Sequence, residues 1–185
     1  MENSLYKVKR KSLMELGEIY FWTATIHKWI PLLQTDSAKD MILNSLKYLS
    51  TKDKIDVYAF VIMPNHIHLI WKLNALNGKE LPHASFLKFT AHAFKAELIK
   101  TPEKLSRFFV YEGNKEFNFW QRDSLAVKLN SREMAFQKMN YIHSNPLADH
   151  WNLATRPEDY IFSSASFYEK GKDRFGFLKD IREEF

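Results

Sequence analysis

Two histidines stand one residue apart in Pro64-Asn65-His66-Ile67-His68-Leu69-Ile70-Trp71. On a strand, alternate side chains share a face, so His66 and His68 project together and can hold one metal ion through neutral nitrogen donors. Farther along, Tyr141-Ile142-His143-Ser144-Asn145-Pro146 offers a phenol and an amide oxygen four residues apart. On a helix these fall within about 40° of each other, which sets a nucleophile beside a third metal ligand. His143 points about 160° from Tyr141 and is a poor third ligand if the helix is regular. Each feature also has a plainer reading. A histidine pair in a strand can be structural or merely exposed, Tyr141 can be the boundary residue of an amphipathic helix, and Asn145 can cap that helix before proline.

The elements that must position these residues are readable from periodicity. Glu18 to Ile26 is aromatic and β-branched and reads as a buried strand. Asp36 to Ser50 carries Ala38, Met41, Ile42, Ser45, Leu46 and Leu49 at helical spacing, with Thr35 or Asp36 as cap. Ile55 to Met63 and His66 to Leu73 read as a hairpin turned by Pro64-Asn65, with Ile67, Leu69, Trp71 and Leu73 on one face and the histidines with Ile70 and Lys72 on the other.

Ser85 reads as the cap of a helix running to about Lys100, with an apolar stripe of Phe86, Phe89, Ala93, Phe94 and Leu98. Thr101 to Phe119 reads as a loop or short hairpin, and Trp120 to Leu129 as holding a further short strand. A helix from about Ser131 to Asn145 follows, capped by Asn130 or Ser131 and stopped by Pro146. Lys138 and Met134 extend the line of Tyr141 and Asn145, while Ala135, Met139 and Ile142 form an adjoining apolar side. This order predicts an α+β fold, an antiparallel sheet with helices packed on one face and the other face left for a site.

Composition narrows the class. The 185 residues suit one domain spanning 1–185, and 45% hydrophobic with 26% charged residues is a globular profile. There is no cysteine, which excludes disulfides and thiolate metal sites; any metal must use nitrogen and oxygen donors. No run is long and apolar enough to span a membrane and no signal-type segment follows the charged start, so the expected location is cytoplasmic, at the nucleoid when bound to DNA. A net charge of +5 suits an anionic partner.

With those residues in place, the string Val61-Ile62-Met63-Pro64-Asn65-His66-Ile67-His68-Leu69-Ile70-Trp71 resembles the HUH motif (histidine, hydrophobic, histidine) of the single-tyrosine insertion-sequence transposases. Tyr141-Ile142-His143-Ser144-Asn145-Pro146 is similar to the nucleophile helix of their REP-associated tyrosine transposase branch. The strand near Tyr20 to Thr25, Trp120-Gln121-Arg122, and Pro157 to Ser164 match in the same order, so the resemblance extends from about Gly17 to Tyr168. The chain departs from the family pattern in its longer Thr101 to Phe119 stretch and in Asp123-Ser124, where an aromatic is common.

The resemblance implies a ferredoxin-like HUH endonuclease fold and a transposase that cleaves and rejoins single-stranded DNA near hairpins through a covalent 5′-phosphotyrosine. It implies Tyr141 as nucleophile, and His66, His68 and Asn145 as ligands of a divalent metal, Mg²⁺ or Mn²⁺. The expected partner is single-stranded or hairpin DNA, met by a monomer or homodimer with no membrane involved. Candidate DNA contacts are the basic run Lys7, Lys9, Arg10 and Lys11, then Lys88 and Lys95 with His92 beside them, Arg122, and Lys138, a cation that can also favour the phenolate of Tyr141. Trp120 and the Trp71 region are candidates for base stacking as well as for the core. Two other functions compete. A domesticated DNA-hairpin-binding protein would act by occupancy alone. A histidine-motif nucleotide hydrolase typically continues its alternating histidines, and here the next position on that face is Ile70.

Overall fold

The structure, a computed structural model, describes residues 14–112, 115–122 and 124–185. The basic run at Lys7, Lys9, Arg10 and Lys11 lies outside the described residues. Strand β1 (Ile19–Thr25) leads through helix α1 (Asp36–Thr51) to the hairpin of β2 (Ile55–Ile62) and β3 (His66–Leu73). Helix α2 (Pro82–Leu98) and a short α3 (Pro102–Leu105) follow, then a small hairpin of β4 (Phe109–Glu112) and β5 (Lys115–Phe117). Strand β6 (Leu125–Lys128), helix α4 (Arg132–Ser144) and the short α5 (Ala165–Lys170) complete the order.

The main sheet has the order β2-β3-β1-β6 and every pairing in it is antiparallel. β3 is thus inserted between β1 and β2, the split βαβ of the ferredoxin-like fold, so the α+β architecture expected from the sequence is the one found. Register follows the pleat: Trp22 and Trp71 stack at 4.8 Å between ring centroids, and Phe86 of α2 meets both edge-on. α1 packs beside α2. The opposite face, expected to be left for a site, is crossed by α4, which contacts β2 and β3. His66 and His68, placed on the strand's polar side, are consequently 7% and 5% exposed.

Caps explain where the helices begin. Thr35 Oγ1 accepts from the Ala38 N–H and Ser131 Oγ from the Met134 N–H, as the sequence suggested. α2 differs: it starts at Pro82, whose fixed φ suits a first helical position, and Ser85 Oγ donates to the Pro82 carbonyl from inside the first turn. Its buried row is Phe86, Thr90 and Phe94, four residues apart, which turns Phe89 out to 59% exposure instead of into the predicted stripe. The short strand expected within Trp120 to Leu129 is β6, and Trp120 makes an isolated bridge to Ile26. Within Thr101 to Phe119 the short hairpin is present, preceded by α3.

The chain after Pro146 closes the sheet. Its Phe162 and Ser164 pair with the β2 edge, through Ile62 N–H to the Phe162 carbonyl at 3.0 Å and Ser164 N–H to the Phe60 carbonyl at 3.0 Å. That covers hydrogen-bonding groups an edge strand otherwise leaves open. Ser164 Oγ also accepts from the Phe60 N–H at 2.9 Å and lies 2.9 Å from Nε2 of His143 on α4. His143 is therefore a buried strut between α4 and the tail, and burial pushes its pKa down to about 4.

Candidate active site

α4 brings its phenol onto the histidines. A cleft of about 410 Å³ is lined by Thr23, Thr25, Trp29, His66, His68, Tyr141, Ser144, Asn145, His150 and Trp151, among others. The His66 and His68 rings are 4.7 Å apart, and the Tyr141 ring is 5.3 Å from His68, edge-on. Phe21, beside His68 on the sheet, stacks on that imidazole at 5.4 Å and meets Tyr141 at 6.0 Å. Tyr141 itself is 51% exposed, so its hydroxyl can be reached from solvent.

Each imidazole is oriented by a neighbour. Asn65 Nδ2 donates to the Trp29 carbonyl at 3.3 Å, which fixes the amide with Oδ1 2.7 Å from His66 Nδ1. An amide oxygen only accepts, so Nδ1 of His66 carries the proton and Nε2 holds a lone pair. Thr23, paired with His68 across the β1–β3 ladder, sets Oγ1 2.7 Å from His68 Nδ1. Nε2 of His68 is buried and has no hydrogen-bond partner among the described residues. A ring N–H buried in that state would be costly, which favours the tautomer with the lone pair at Nε2.

Electrostatics agree with neutral rings. Burial pushes His66 down to about 4; the Asn145 amide beside it opposes the shift and His150 adds to it. Burial pushes His68 down to about 3, helped by His66 and by Lys138. Asn145 Nδ2 donates to the Tyr141 carbonyl at 2.9 Å, four residues back, which leaves Oδ1 available toward the histidines. Among the described residues no three His, Cys, Asp or Glu side chains gather as a metal-binding group. A metal here would take two imidazole nitrogens and an amide oxygen, and the orphaned Nε2 of His68 fits such a use. A set of neutral donors leaves a divalent cation its full charge.

Of the residues singled out from sequence, His66, His68, Tyr141 and Asn145 come together in this cleft, and Lys138 lies beside it, its Nζ 5.0 Å from the Phe21 ring centroid. Lys88, His92, Lys95 and Arg122 instead line a second cleft of about 720 Å³ between α2 and residues 116–122. There Lys88 pairs with Glu80 and Lys95 with Glu116, each at 3.1 Å. Gln121, which lines the second cleft, donates its N–H at 2.8 Å to the carbonyl of Thr25, which lines the first. Trp71 and Trp120, candidates for stacking, are core residues at 0% and 6% exposure, and Trp120 Nε1 donates to Thr90.

Sequence reasoning passed over Thr23, Trp29, His150 and Trp151. Thr23 was findable in principle, since it sits opposite His68 once β1 and β3 are in register. Trp29 carried no such signal. It and Lys28 both adopt left-handed backbone, at φ 58° and 54°. Without glycine such a conformation costs roughly 1–2 kcal/mol per residue.

Among solved structures the chain is similar to a REP-associated tyrosine transposase bound to a REP hairpin. The TM-score is 0.58 at 17% identity, covering 91% of this chain and 90% of that one. It also matches a putative transposase from Deinococcus radiodurans R1 with a TM-score of 0.42 at 16% identity, covering 73% of this chain and 96% of that one. At this identity the first likeness establishes the shared fold. No protein-family model and no curated protein matches the sequence. No described helix is long and apolar enough to cross a membrane.

Proposed function

We propose that this protein is a transposase that cleaves and rejoins single-stranded DNA, with Tyr141 as nucleophile and His66, His68 and Asn145 as the holders of a divalent metal, Mg²⁺ or Mn²⁺. The observation that carries the reading is the 5.3 Å approach of the Tyr141 ring to His68 over two imidazoles whose Nδ1 atoms are already engaged. The fold shared with a transposase bound to hairpin DNA supports it.

When bound, the metal would supply positive charge at a non-bridging phosphate oxygen and so ease charge build-up at phosphorus. The chain's own residues do the rest. Asn65 fixes the tautomer of His66 and Thr23 the orientation of His68, so neither ring must reorganise as a substrate arrives. Tyr141 Oη attacks phosphorus, its proton leaves to solvent, and the bond to the 3′ oxygen breaks. The departing 3′ oxygen takes up a proton and leaves a 5′ phosphate ester on tyrosine. Attack on that ester by a 3′ hydroxyl reverses the step and joins strands, with no outside energy source. Lys138, one helical turn before Tyr141, supplies a positive charge beside the cleft for the phosphate backbone.

The test is incubation with labelled single-stranded hairpin DNA and Mn²⁺ or Mg²⁺. A protein–DNA adduct that survives denaturation and is lost in Tyr141→Phe is expected. Tight binding without adduct, across substrates built from hairpins flanking the gene, would favour a protein that acts by occupancy.

A further inference from the structure

Trp29 has the wrong surroundings for a core residue and the wrong backbone for a casual surface one. Its indole is 58% exposed at the rim of the cleft, with its ring centroid 6.4 Å from that of His66. The left-handed pair Lys28–Trp29 is stabilised by the Trp29 N–H donating to the Ile26 carbonyl at 2.9 Å and by Asn65 Nδ2 donating to the Trp29 carbonyl at 3.3 Å. The side chain that orients His66 therefore also sets the strained residue bearing the indole. Trp151 approaches the same imidazole at 5.9 Å and is half-buried. A large apolar ring held in water contributes little to folding, whereas strained backbone persists where the surroundings over-determine it, commonly at binding sites.

We propose that Trp29 is a stacking platform for one unpaired nucleobase of the strand bound at Tyr141, a subsite that rests on the strand-cleaving reading given above. The cleft's chemistry selects this ligand. An indole face stacks on any base and tolerates sequence, while Lys138 beside His68 meets the phosphate side of the same nucleotide chain. The platform thus places a flanking nucleotide without reading its identity, and Asn65 keeps platform and imidazole in one register.

The experiment measures binding of a fluorescein-labelled hairpin oligonucleotide with an unpaired flank, in the Tyr141→Phe background so that no covalent product intervenes. Adding Trp29→Ala should weaken binding about ten-fold, and Trp29→Phe should restore most of it. An abasic substitution at one flank position should cost the Trp29 protein the same factor and cost Trp29→Ala nothing further, the coupling expected of a direct contact. A purely structural role for Trp29 would instead leave abasic losses equal in both proteins. That result, unchanged binding in Trp29→Ala, or no binding by either protein overturns the platform. An adduct at Tyr141 with no Trp29 effect defeats the platform alone; abasic coupling at Trp29 with no adduct in the Tyr141 protein defeats the cleavage reading alone.

Discussion

Thr23 and His68 face one another across the β1–β3 ladder, with Oγ1 2.7 Å from Nδ1. The contact holds the ring of an imidazole whose other nitrogen is buried, so a hydroxyl on β1 sets the orientation of His68. Thr23→Val keeps the shape and removes the hydroxyl. On the metal role proposed for His68, affinity for Mn²⁺ should fall by about 10- to 100-fold, the usual loss for an outer partner of a ligating histidine, with the fold intact. Calorimetric titration of the variant checks this; unchanged affinity would show that Thr23 does not orient the ring.

Acid should unfold the metal-free protein early. His66, His68 and His143 are held down to about 4, 3 and 4 by burial. Unfolded histidine titrates near ~6.5, so below that pH the unfolded chain binds more protons than the native one. Stability from these groups is fully present above about pH 6.5 and drains away as pH falls toward 4. Urea midpoints should hold level from pH 7.5 to about 6.5 and decline from there to pH 4.5, and a profile flat throughout would contradict the buried neutral rings.

Ser164 is the point where the tail, β2 and α4 are joined. Ser164→Ala leaves the Phe60 N–H and the His143 ring without their shared hydroxyl. Unsatisfied buried groups of this kind cost about 1–3 kcal/mol each. Urea unfolding should register a loss of that order, with adduct formation reduced in parallel because α4 carries Tyr141. A loss below about 0.5 kcal/mol, the range of ordinary surface substitutions, would remove Ser164 from this role.

Local pattern carried much of the fold and the four central residues of the site. The histidine alternation is a period-2 signal, Tyr141 and Asn145 share a helix face, and Thr35 and Ser131 announce their helices as side-chain caps. What local pattern could not carry was long-range. Phe89 fits an apolar stripe by spacing, yet the core meets α2 along Phe86, Thr90 and Phe94, a choice made by the positions of Trp22, Trp71 and Trp120. Ser85 looks like a cap by type, but Pro82 starts the helix by its fixed φ. Trp29 gains its place through two residues of left-handed backbone and a bond from Asn65, neither of which has a sequence period.

The clasp of Phe162 and Ser164 on β2 gives the far end of the gene a hold on the chemistry. A copy cut short by a stop codon soon after Trp151 would still encode both imidazoles, the carboxamide and the phenol. It would also leave the β2 edge bare and deprive His143 of its hydrogen-bond partner Ser164, so α4 would keep only its direct packing on β2 and β3. Such remnants should make unstable protein although the four side chains that meet in the cleft are all still encoded.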